Sequence, residues 1–366
     1  MPRRAADPPG PRPPRPPTIA DVAAVAGVSR SAVSRTFTDG ASAAPDTRAK
    51  VRRAAEALGY RPNALARSLT TRRSHVVAVS TVRLENGFNA GLLQFIALGL
   101  DALGLRTLLF PTAGTDDADP PLDQILRHRV DAVVLLATRL SSRFHDECAA
   151  AGVPVVLVNR TAGSGSGSSV TGDNVGGAGR IADFLLAGGH RAFAFLAGVE
   201  DSSNSRERER GFTQRLHRAG RPAPLRDTGR FDRVLAQEAT RRLLGRTEPP
   251  DALFCANDHM ALAALDVARR EFGLDVGRQI SIVGFDDAPA ASLSGIDLTS
   301  FSQPLEAMAR RAVSAVADIL ADPLRPTLHE TIAGELVVRG SARLPPTGLV
   351  TAPDGRRLWT GEDDGG

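Results

Sequence analysis

The stretch Thr18–Phe37, TIADVAAVAGVSRSAVSRTF, constrains the fold of this chain more than any other. Thr18 with Asp21 three residues later is a helix start signal, and the apolar residues that follow recur at helical spacing. Gly27 permits a tight turn, and Ser29 can cap a second helix that buries Val33. Two short helices joined by a glycine-containing turn predict a helix-turn-helix. A purely structural pair of helices is the alternative.

Charge is distributed unevenly along the chain. Residues 1–75 hold 14 Arg and Lys against 5 Asp and Glu, whereas all 366 residues carry a net charge of only +4. A basic N-terminal region on a mildly acidic body predicts an anionic partner for that region alone.

The sequence contains no evident targeting or membrane segment. The N-terminus, MPRRAADPPGPRPPRPP, lacks the apolar core of a signal peptide, and no apolar run approaches the roughly 20 residues that span a bilayer. Cys148 and Cys255 are far apart and suit a reducing compartment. We therefore expect a cytoplasmic protein with no membrane partner.

No pattern of residues indicates catalysis. The seven His are scattered, no Ser lies in a nucleophile elbow, and no glycine-rich phosphate loop joins a strand to a helix. We therefore expect no catalytic residues, no metal and no cofactor, and hence no enzyme.

A third helix completes the first domain. Pro45 suits a first helical position, Val51, Ala54 and Leu58 then share one side, and Gly59 ends the helix. From Thr18 to about Leu69 the chain resembles, without gaps, the headpiece of the lactose-repressor/galactose-repressor (LacI/GalR) family of transcription factors. The resemblance continues to about residue 343.

The resemblance implies which side chains contact DNA. The second helix would enter the major groove, where Arg30, Ser31 and Arg35 would read base edges; Arg can bond bidentately to guanine. Hydroxyl side chains would hold phosphates without reading sequence. The further DNA-binding residues that it implies are Thr18, Ser29, Ser34, Thr38, Thr47, Tyr60 and Asn63.

Residues 61–74 form a hinge by the same resemblance. So short a segment is a poor helix in isolation, because helix nucleation is costly, so a flexible linker is expected in the free protein. On DNA, two hinges would pack in a dimer through Ala66, and Leu69 would wedge into the minor groove. Plain packing is the alternative for Leu69.

The sequence pattern changes from Val76 onward. Short apolar runs such as VVAVSTV, DAVVLLA and VPVVLVN alternate with amphipathic stretches, and RAFAFLAG, DALFCAND and ISIVGFDD repeat the pattern. Buried strands alternating with helices predict parallel sheets covered on both faces, and two such units enclose a cleft at their strand ends. The run TAGSGSGSS is expected to be a flexible loop. The architecture resembles the periplasmic sugar-binding-protein fold.

The predicted fold class is therefore an all-α helix-turn-helix headpiece followed by an α/β two-lobed, periplasmic-binding-protein-like (type I) effector domain. The expected segments are a disordered extension at 1–17, the DNA-binding domain at 18–60, the hinge at 61–74, the effector and dimerisation domain at 75–343 and a flexible tail at 344–366. Lobe 1 is expected at about 75–173 and 303–322, and lobe 2 at about 174–302 and 323–343.

The resemblance also implies the residues of an effector site, which are Phe88, Asn159, Arg160, Arg208, Phe231, Asn257 and Asp286. A few polar groups with one or two apolar walls are the usual composition of such a pocket. Alternatives exist for several of them. Asn257 and Asp286 could cap helices, Arg208 lies in a charged run that ordinarily faces solvent, and Phe231 could belong to the core. The usual Asn-Pro-Phe-Phe segment appears here as Asn86–Asn89, without the Pro.

We expect a dimeric, ligand-responsive transcriptional regulator, a repressor, whose two-fold symmetry predicts a pseudo-palindromic operator with half-sites about one helical turn apart. The expected effector is a small molecule, with a sugar of carbohydrate metabolism favoured over a nucleobase or another small metabolite. A solute-binding protein of a transport system is the second hypothesis. The sequence leaves open the effector, the operator and target genes, the direction of the response and the oligomeric state.

Overall fold

A computed structural model describes residues 15–37, 41–61, 73–112, 121–136, 142–161 and 167–361. The chain divides into two compact units, Met1–Ser74 and His75–Gly366.

Three helices form the first unit: α1 (Ile19–Ala26), α2 (Arg30–Thr36) and α3 (Pro45–Leu58). The carboxylate of Asp21 accepts hydrogen bonds from the backbone N–H (2.8 Å) and hydroxyl (2.7 Å) of Thr18. The hydroxyl of Ser29 accepts from the N–H of Ala32 at 3.2 Å. The predicted helix starts and the predicted helix-turn-helix are therefore confirmed.

An apolar seam joins the three helices. Val22, Val33 and Val51 are fully buried, one from each helix, and smaller alanines fill the space between them. The rings of Phe37 and Tyr60 lie 5.9 Å apart at the edge of this core. Since a core of this size stabilises a domain only marginally, each of these contacts matters for its stability.

The second unit contains two sheets surrounded by helices. The strands are β1 (Val76–Thr81), β2 (Arg106–Pro111), β3 (Ala132–Leu136), β4 (Val155–Val158), β5 (Ser168–Gly172), β6 (Phe193–Ala197), β7 (Leu225–Thr228), β8 (Ala252–Cys255), β9 (Ser281–Asp286), β10 (Thr299–Ser302), β11 (His329–Ile332), β12 (Glu335–Val337), β13 (Leu349–Thr351) and β14 (Arg357–Trp359).

Helices cover both faces of these sheets. They are α4 (Gly87–Ala102), α5 (Leu122–Arg127), α6 (Ser142–Ala150), α7 (Asn174–Ala187), α8 (Ser203–Arg218), α9 (Arg233–Leu244), α10 (Asp258–Asp266) and α11 (Leu305–Ala321), with a π-helical turn at Val267–Glu271 and a 3-10 turn at Pro289–Ser292.

Each sheet is the centre of one lobe. The first has the order β11-β5-β4-β3-β1-β2, and the second has the order β13-β14-β12-β10-β9-β8-β6-β7. Strands β1 to β5 pair in parallel, as do β6 to β10, which confirms the predicted parallel sheets. Helix α11 packs onto the first lobe, because Met308 and Ala309 share a core with Val77 and Val79.

The chain passes between the lobes at three connections: β5 to α7, β10 to α11, and β11 to β12. The third connection corrects the expected lobe boundaries. The sequence places residues 323–343 in lobe 2, but His329–Ile332 pairs with β5 in the first sheet, and only the following strand, Glu335–Val337, joins the second. A lobe boundary therefore falls inside the run that reads HETIAGELV.

The expectation of a flexible tail at 344–366 is wrong for the described part, which ends at residue 361. Strands β13 and β14 form an antiparallel hairpin that extends the second sheet through β12. The indole of Trp359 is only 4% exposed and packs edge-on against Phe184, with ring centroids 5.7 Å apart. Burial of this large ring holds a segment whose Pro and Gly content suggested fraying.

Candidate functional site

Helix α2 presents a polar surface on the first unit. Arg30, Ser31, Ser34 and Arg35 are all exposed, whereas Val33 between them is buried. The Nε of Arg35 donates to the carbonyl of Ser31 at 3.4 Å, which orients the guanidinium along the helix. The helix thus combines a charged fork and short hydroxyls on a single accessible face.

Other predicted DNA contacts lie around this helix. Thr18 and Ser29 are exposed at the starts of α1 and α2, and Thr47 is half-buried in the first turn of α3. Tyr60 is half-buried beyond the end of α3. Thr38, Asn63, Ala66 and Leu69 lie outside the described residues.

A cavity lies between the two lobes at the ends of their strands. Its lining consists of Val82, Arg83, Asn86, Asn89, Asn159, Arg160, Asn204, Arg208, Phe231, Asn257 and Asp286. Six of the seven predicted effector residues are therefore brought together. The cavity measures about 30 Å³, room for about two water molecules, so a larger ligand requires the lobes or side chains to move.

Phe88 is the exception, because its side chain does not line the cavity. Its side chain is 1% exposed and packs in the first-lobe core with Leu92 and Val77. The polar neighbours Asn86 and Asn89 line the cavity instead. Helical geometry explains the difference, because α4 begins at Gly87 and turns the apolar side chain of Phe88 into the core.

A buried ion pair forms the centre of the cavity wall. Nη2 of Arg208 lies 3.3 Å from Oδ1 of Asp286, and the guanidinium stacks 3.8 Å above the centroid of Phe285. The Nε of Arg208 donates to Oδ1 of Asn174 at 2.9 Å, and Nη1 donates to the carbonyl of Ala256. Arg208 is thus held rigidly, and the solvent-facing alternative for it is wrong.

Burial raises the pKa of the Asp286 carboxyl to about 6, while the charge of Arg208 and a hydrogen bond from Gln303 act in the opposite direction. Burial also raises the pKa of Asp258 well above its usual range, and the charge of Asp286 adds to that effect. Oδ1 of Asp258 accepts from the hydroxyl of Ser300 at 2.6 Å. Two buried carboxyl groups, those of Asp258 and Asp286, therefore interact with the guanidinium of Arg208.

Amide side chains dominate the rest of the lining. The Oδ1 atoms of Asn86 and Asn257 accept from the backbone N–H groups of Phe88 and Met260, each at 3.0 Å, and Oδ1 of Asn204 accepts from the hydroxyl of Ser202. The capping alternative therefore holds for Asn257, although it also lines the cavity. Among the described residues, the NH₂ groups of these three Asn have no acceptor.

The lining also offers acceptors. Asn89 donates to the carbonyl of Val82 at 3.2 Å, and its Oδ1 has no donor among the described residues. Oδ1 of Asn159 is buried without a partner in the same part of the chain. Nη2 of Arg208 is a buried donor without a hydrogen bond of good geometry. The lining of this one small cavity therefore contains both donors and acceptors.

The backbone is strained at several residues that line the cavity. Arg83, Asn159, Phe231 and Asp286 all line the cavity, and all have positive φ angles, +119° for Asp286. Residues other than glycine seldom adopt this region, and such strain concentrates at functional sites. The ring of Phe231 lies directly on Gly198, where a Cβ would be 2.1 Å from it. Phe231 thus belongs both to the cavity wall and to the second-lobe core.

Five lining residues were not predicted from the sequence: Val82, Arg83, Asn86, Asn89 and Asn204. A signal existed for Asn204, because it lies one helical turn before Arg208 on α8 and so shares its face. Asn86 and Asn89 lie three residues apart at the start of α4, a spacing that also places two side chains on one helical face. No comparable signal pointed to Arg83, since its side chain is directed by a turn after β1.

In the described parts of the chain, no group of three His, Cys, Asp or Glu side chains could hold a metal ion. Within those same parts, no helix is both long and apolar enough to cross a membrane.

Comparisons with known proteins agree on one family. A sequence profile described as bacterial regulatory proteins, lacI family, matches residues 18–63, and one for a periplasmic binding protein-like domain matches residues 182–342. The HTH-type transcriptional regulator CelR of Thermobifida fusca is 33% identical over 326 residues, which cover 86% of this chain and 95% of CelR.

Two solved structures extend this similarity to the fold. A complex of the transcriptional regulator CelR with cellobiose has a TM-score of 0.68 at 32% identity and covers 89% of this chain and 100% of its own. The lac repressor dimer bound to operator and the anti-inducer ONPF has a TM-score of 0.79 at 27% identity, covering 90% and 100%.

Proposed function

The chain belongs to the lacI family of bacterial regulatory proteins, and we propose that it represses transcription under the control of a small carbohydrate held between its lobes. It is a DNA-binding transcriptional regulator and not an enzyme. The second hypothesis, a solute-binding protein of a transport system, is not favoured, because the helix-turn-helix region matches the regulator family.

The presence of both unpaired donors and unpaired acceptors in the cavity lining carries the proposal of a carbohydrate. A sugar hydroxyl both donates and accepts, so it suits a lining that contains the NH₂ groups of Asn86, Asn204 and Asn257 and the oxygens of Asn89 and Asn159. Leaving such buried groups unpaired is unfavourable, so a ligand that pairs them gains affinity and selectivity. Phe231 supplies the apolar wall.

Charge separates neutral sugars from sugar acids. The guanidinium of Arg208 already faces Asp286, which removes its need for an anionic ligand. Arg83 and Arg160 also line the cavity, so a sugar acid is the class to compare. Because the related CelR was solved with cellobiose, cellobiose is the first neutral probe.

The experiment is a titration calorimetry series on the purified chain with cellobiose, glucose, galactose and galacturonate. We expect a neutral sugar to bind and Asp286→Ala to abolish its binding, whereas a control variant at the exposed Gln214 keeps it. If galacturonate is the one sugar that binds, the ligand class is a sugar acid and not a neutral sugar. If no sugar binds and a nucleobase does, the carbohydrate proposal fails.

We propose that α2 is the recognition helix. Its exposed Arg30, Ser31 and Arg35 suit base edges, and the exposed Thr18, Ser29 and Ser34 suit phosphates, as Thr47 and Tyr60 do from α3 and its end. The roles of Thr38, Asn63, Ala66 and Leu69 stay predictions from the family resemblance.

We further propose that two copies associate partly through the first lobe. Phe95 and Leu98 lie three residues apart on α4 and are 41% and 60% exposed, and Leu109 on the edge strand β2 is 38% exposed. Apolar side chains grouped on one surface favour burial against a partner. A two-fold dimer would place two α2 helices on successive major grooves.

Linkage explains how a sugar could control DNA binding. If the sugar and the operator favour different arrangements of the lobes, each weakens the binding of the other by the same factor. The small cavity supports this scheme, because ligand entry must change the arrangement around it. An operator titration with and without the bound sugar measures that factor.

A further inference from the structure

Gln303 connects the cavity to a passage of the chain between the lobes. It is 4% exposed and lies between β10 and α11, at the second connection. Its Nε2 donates to Oδ1 of Asp286 at 2.7 Å, and its backbone N–H donates to the carbonyl of Asp286 at 3.4 Å. The carboxylate that faces Arg208 in the cavity is therefore also bonded to an inter-lobe connection.

The same side chain lies against another connection. A Cβ added to Gly172 would be 2.3 Å from Oε1 of Gln303 and 3.1 Å from its Cδ. Gly172 ends β5 and directly precedes the first connection. Only a glycine leaves room for the amide at this point, so Gln303 bridges two of the three passages between the lobes.

One end of this amide has no hydrogen bond. Oε1 of Gln303 is buried without a donor among the described residues, while Nε2 is bonded to Asp286. An unmet buried acceptor is unfavourable, so the arrangement persists only because its surroundings impose it. A rearrangement that gives Oε1 of Gln303 a hydrogen-bond donor would remove this free-energy cost.

We propose that Gln303 is the positioning residue that couples occupancy of the cavity to the relative arrangement of the two lobes. A ligand hydroxyl that donates to Oδ1 of Asp286 competes for the oxygen that Gln303 and Arg208 share. The amide is then released from Asp286, and the two connections that it touches shift. The proposal rests on the proposed function, because it takes the cavity to be the effector site.

A contact between the lobes provides a readout of their arrangement. A Cβ at Gly87, in the first lobe, would lie 4.0 Å from the Cβ of Ala288, in the second. A disulfide requires about 3.5–4.5 Å between Cβ atoms. The double variant Gly87→Cys, Ala288→Cys therefore forms a disulfide only when the lobes meet here. The native Cys148 and Cys255 are buried, and burial raises the pKa of the Cys148 thiol to about 11, so they compete little.

The first measurement needs no ligand. The rate of disulfide formation with oxidised glutathione is compared between the double-cysteine protein and the same protein with Gln303→Leu. The control is Gln214→Leu, because Gln214 lies on the exposed face of α8. We expect the rate to change at least threefold in Gln303→Leu and to stay within 1.5-fold in the control. A lower melting temperature with an unchanged trapping rate would show a merely structural role and overturn the proposal.

A reversed pair tests the bond itself. Gln303→Glu with Asp286→Asn exchanges donor and acceptor across the same contact. We expect its trapping rate to return to within twofold of the double-cysteine protein. A rate equal to that of Gln303→Leu would mean that this bond does not set the lobe arrangement.

The second measurement uses cellobiose. We expect cellobiose to change the trapping rate of the double-cysteine protein, whereas in Gln303→Leu calorimetry still detects binding and the rate no longer responds. A full response in Gln303→Leu overturns the coupling. If cellobiose binds neither protein, the proposed ligand is wrong, and the ligand-free comparison still decides the role of Gln303.

Discussion

Arg208 and Asp286 form an ion pair almost entirely shielded from solvent, with Nη2 and Oδ1 3.3 Å apart and the side chains 1% and 3% exposed. Their partners differ in kind. Arg208 donates to Asn174 and to the carbonyl of Ala256, whereas Asp286 accepts from Gln303. Truncating one member of a buried pair leaves the other uncompensated, so the two charges act as a unit.

Asp286 should make stability depend on pH. Burial raises the pKa of its carboxyl from 3.8 to about 6 in the folded protein. Between these values the unfolded chain releases the proton while the folded one keeps it, so folding becomes less favourable as pH rises, by roughly 3 kcal/mol in all. Chemical unfolding of wild type and Asp286→Asn from pH 4 to 7 measures this contribution. The free energy of unfolding of wild type should fall relative to that of Asp286→Asn as pH rises. A difference between the two proteins that does not change with pH would contradict this prediction.

Arg35→Ala should remove specific operator recognition while retaining most affinity for random DNA. The exposed guanidinium can bond bidentately to guanine, a contact worth about 1–3 kcal/mol of discrimination. Fluorescence anisotropy with operator and scrambled duplexes at fixed salt checks this. Arg53→Ala, an exposed Arg on α3, is the control. An equal loss on both duplexes would show that Arg35 contacts only phosphate.

Leu98→Glu should shift the chain from dimer to monomer and weaken operator binding. The substitution places a charge in the apolar surface of Phe95, Leu98 and Leu109, where burial against a second copy would desolvate it. Leu324→Glu is the matched control, because Leu324 is 93% exposed beyond α11. Sedimentation velocity reports the association state. If both variants remain dimers, the first-lobe surface is not an interface.

Trp359→Ala should destabilise the second unit by roughly 3 kcal/mol, since it removes a large side chain from the core. The ring packs on Phe184, and its Nε1 donates to the carbonyl of Thr347 at 3.2 Å. Arg357→Ala, exposed in the same strand, should change stability little. Urea denaturation compares the two. Equal, small losses would indicate that the hairpin contributes nothing to folding.

Local sequence signals predicted the first unit well. Thr18 and Asp21, Ser29, Pro45 and Gly59 act within one or two helical turns, and each has the predicted role in a helix start or end. The parallel strands were also predictable, because burial on both faces demands continuous apolar runs such as Ala132–Leu136.

Strand β5 was not predictable in this way. Ser168 and Ser169 suggested a loop, yet both are buried in the first sheet. Their hydroxyls bond to partners 160 residues away: Ser168 accepts from the N–H of Leu328, and Ser169 bonds to Nδ1 of His329. Polar residues tolerate burial only when such partners exist. The prediction of a flexible tail was wrong for a similar reason, because Phe184, the residue on which Trp359 packs, lies far away in sequence on α7.

Sequence patterns predicted the local elements and the class of each lobe, and the family resemblance predicted six of the residues that meet in the cavity. The packing of distant segments placed Phe88 in the core, Asn86, Asn89 and Asn204 in the cavity wall, and Gln303 between Asp286 and the inter-lobe connections. The two kinds of feature differ in the range of the interactions that produce them. Caps and hydrophobic periodicity act between near neighbours in sequence, whereas a cavity wall depends on which distant side chains satisfy one another's hydrogen bonds.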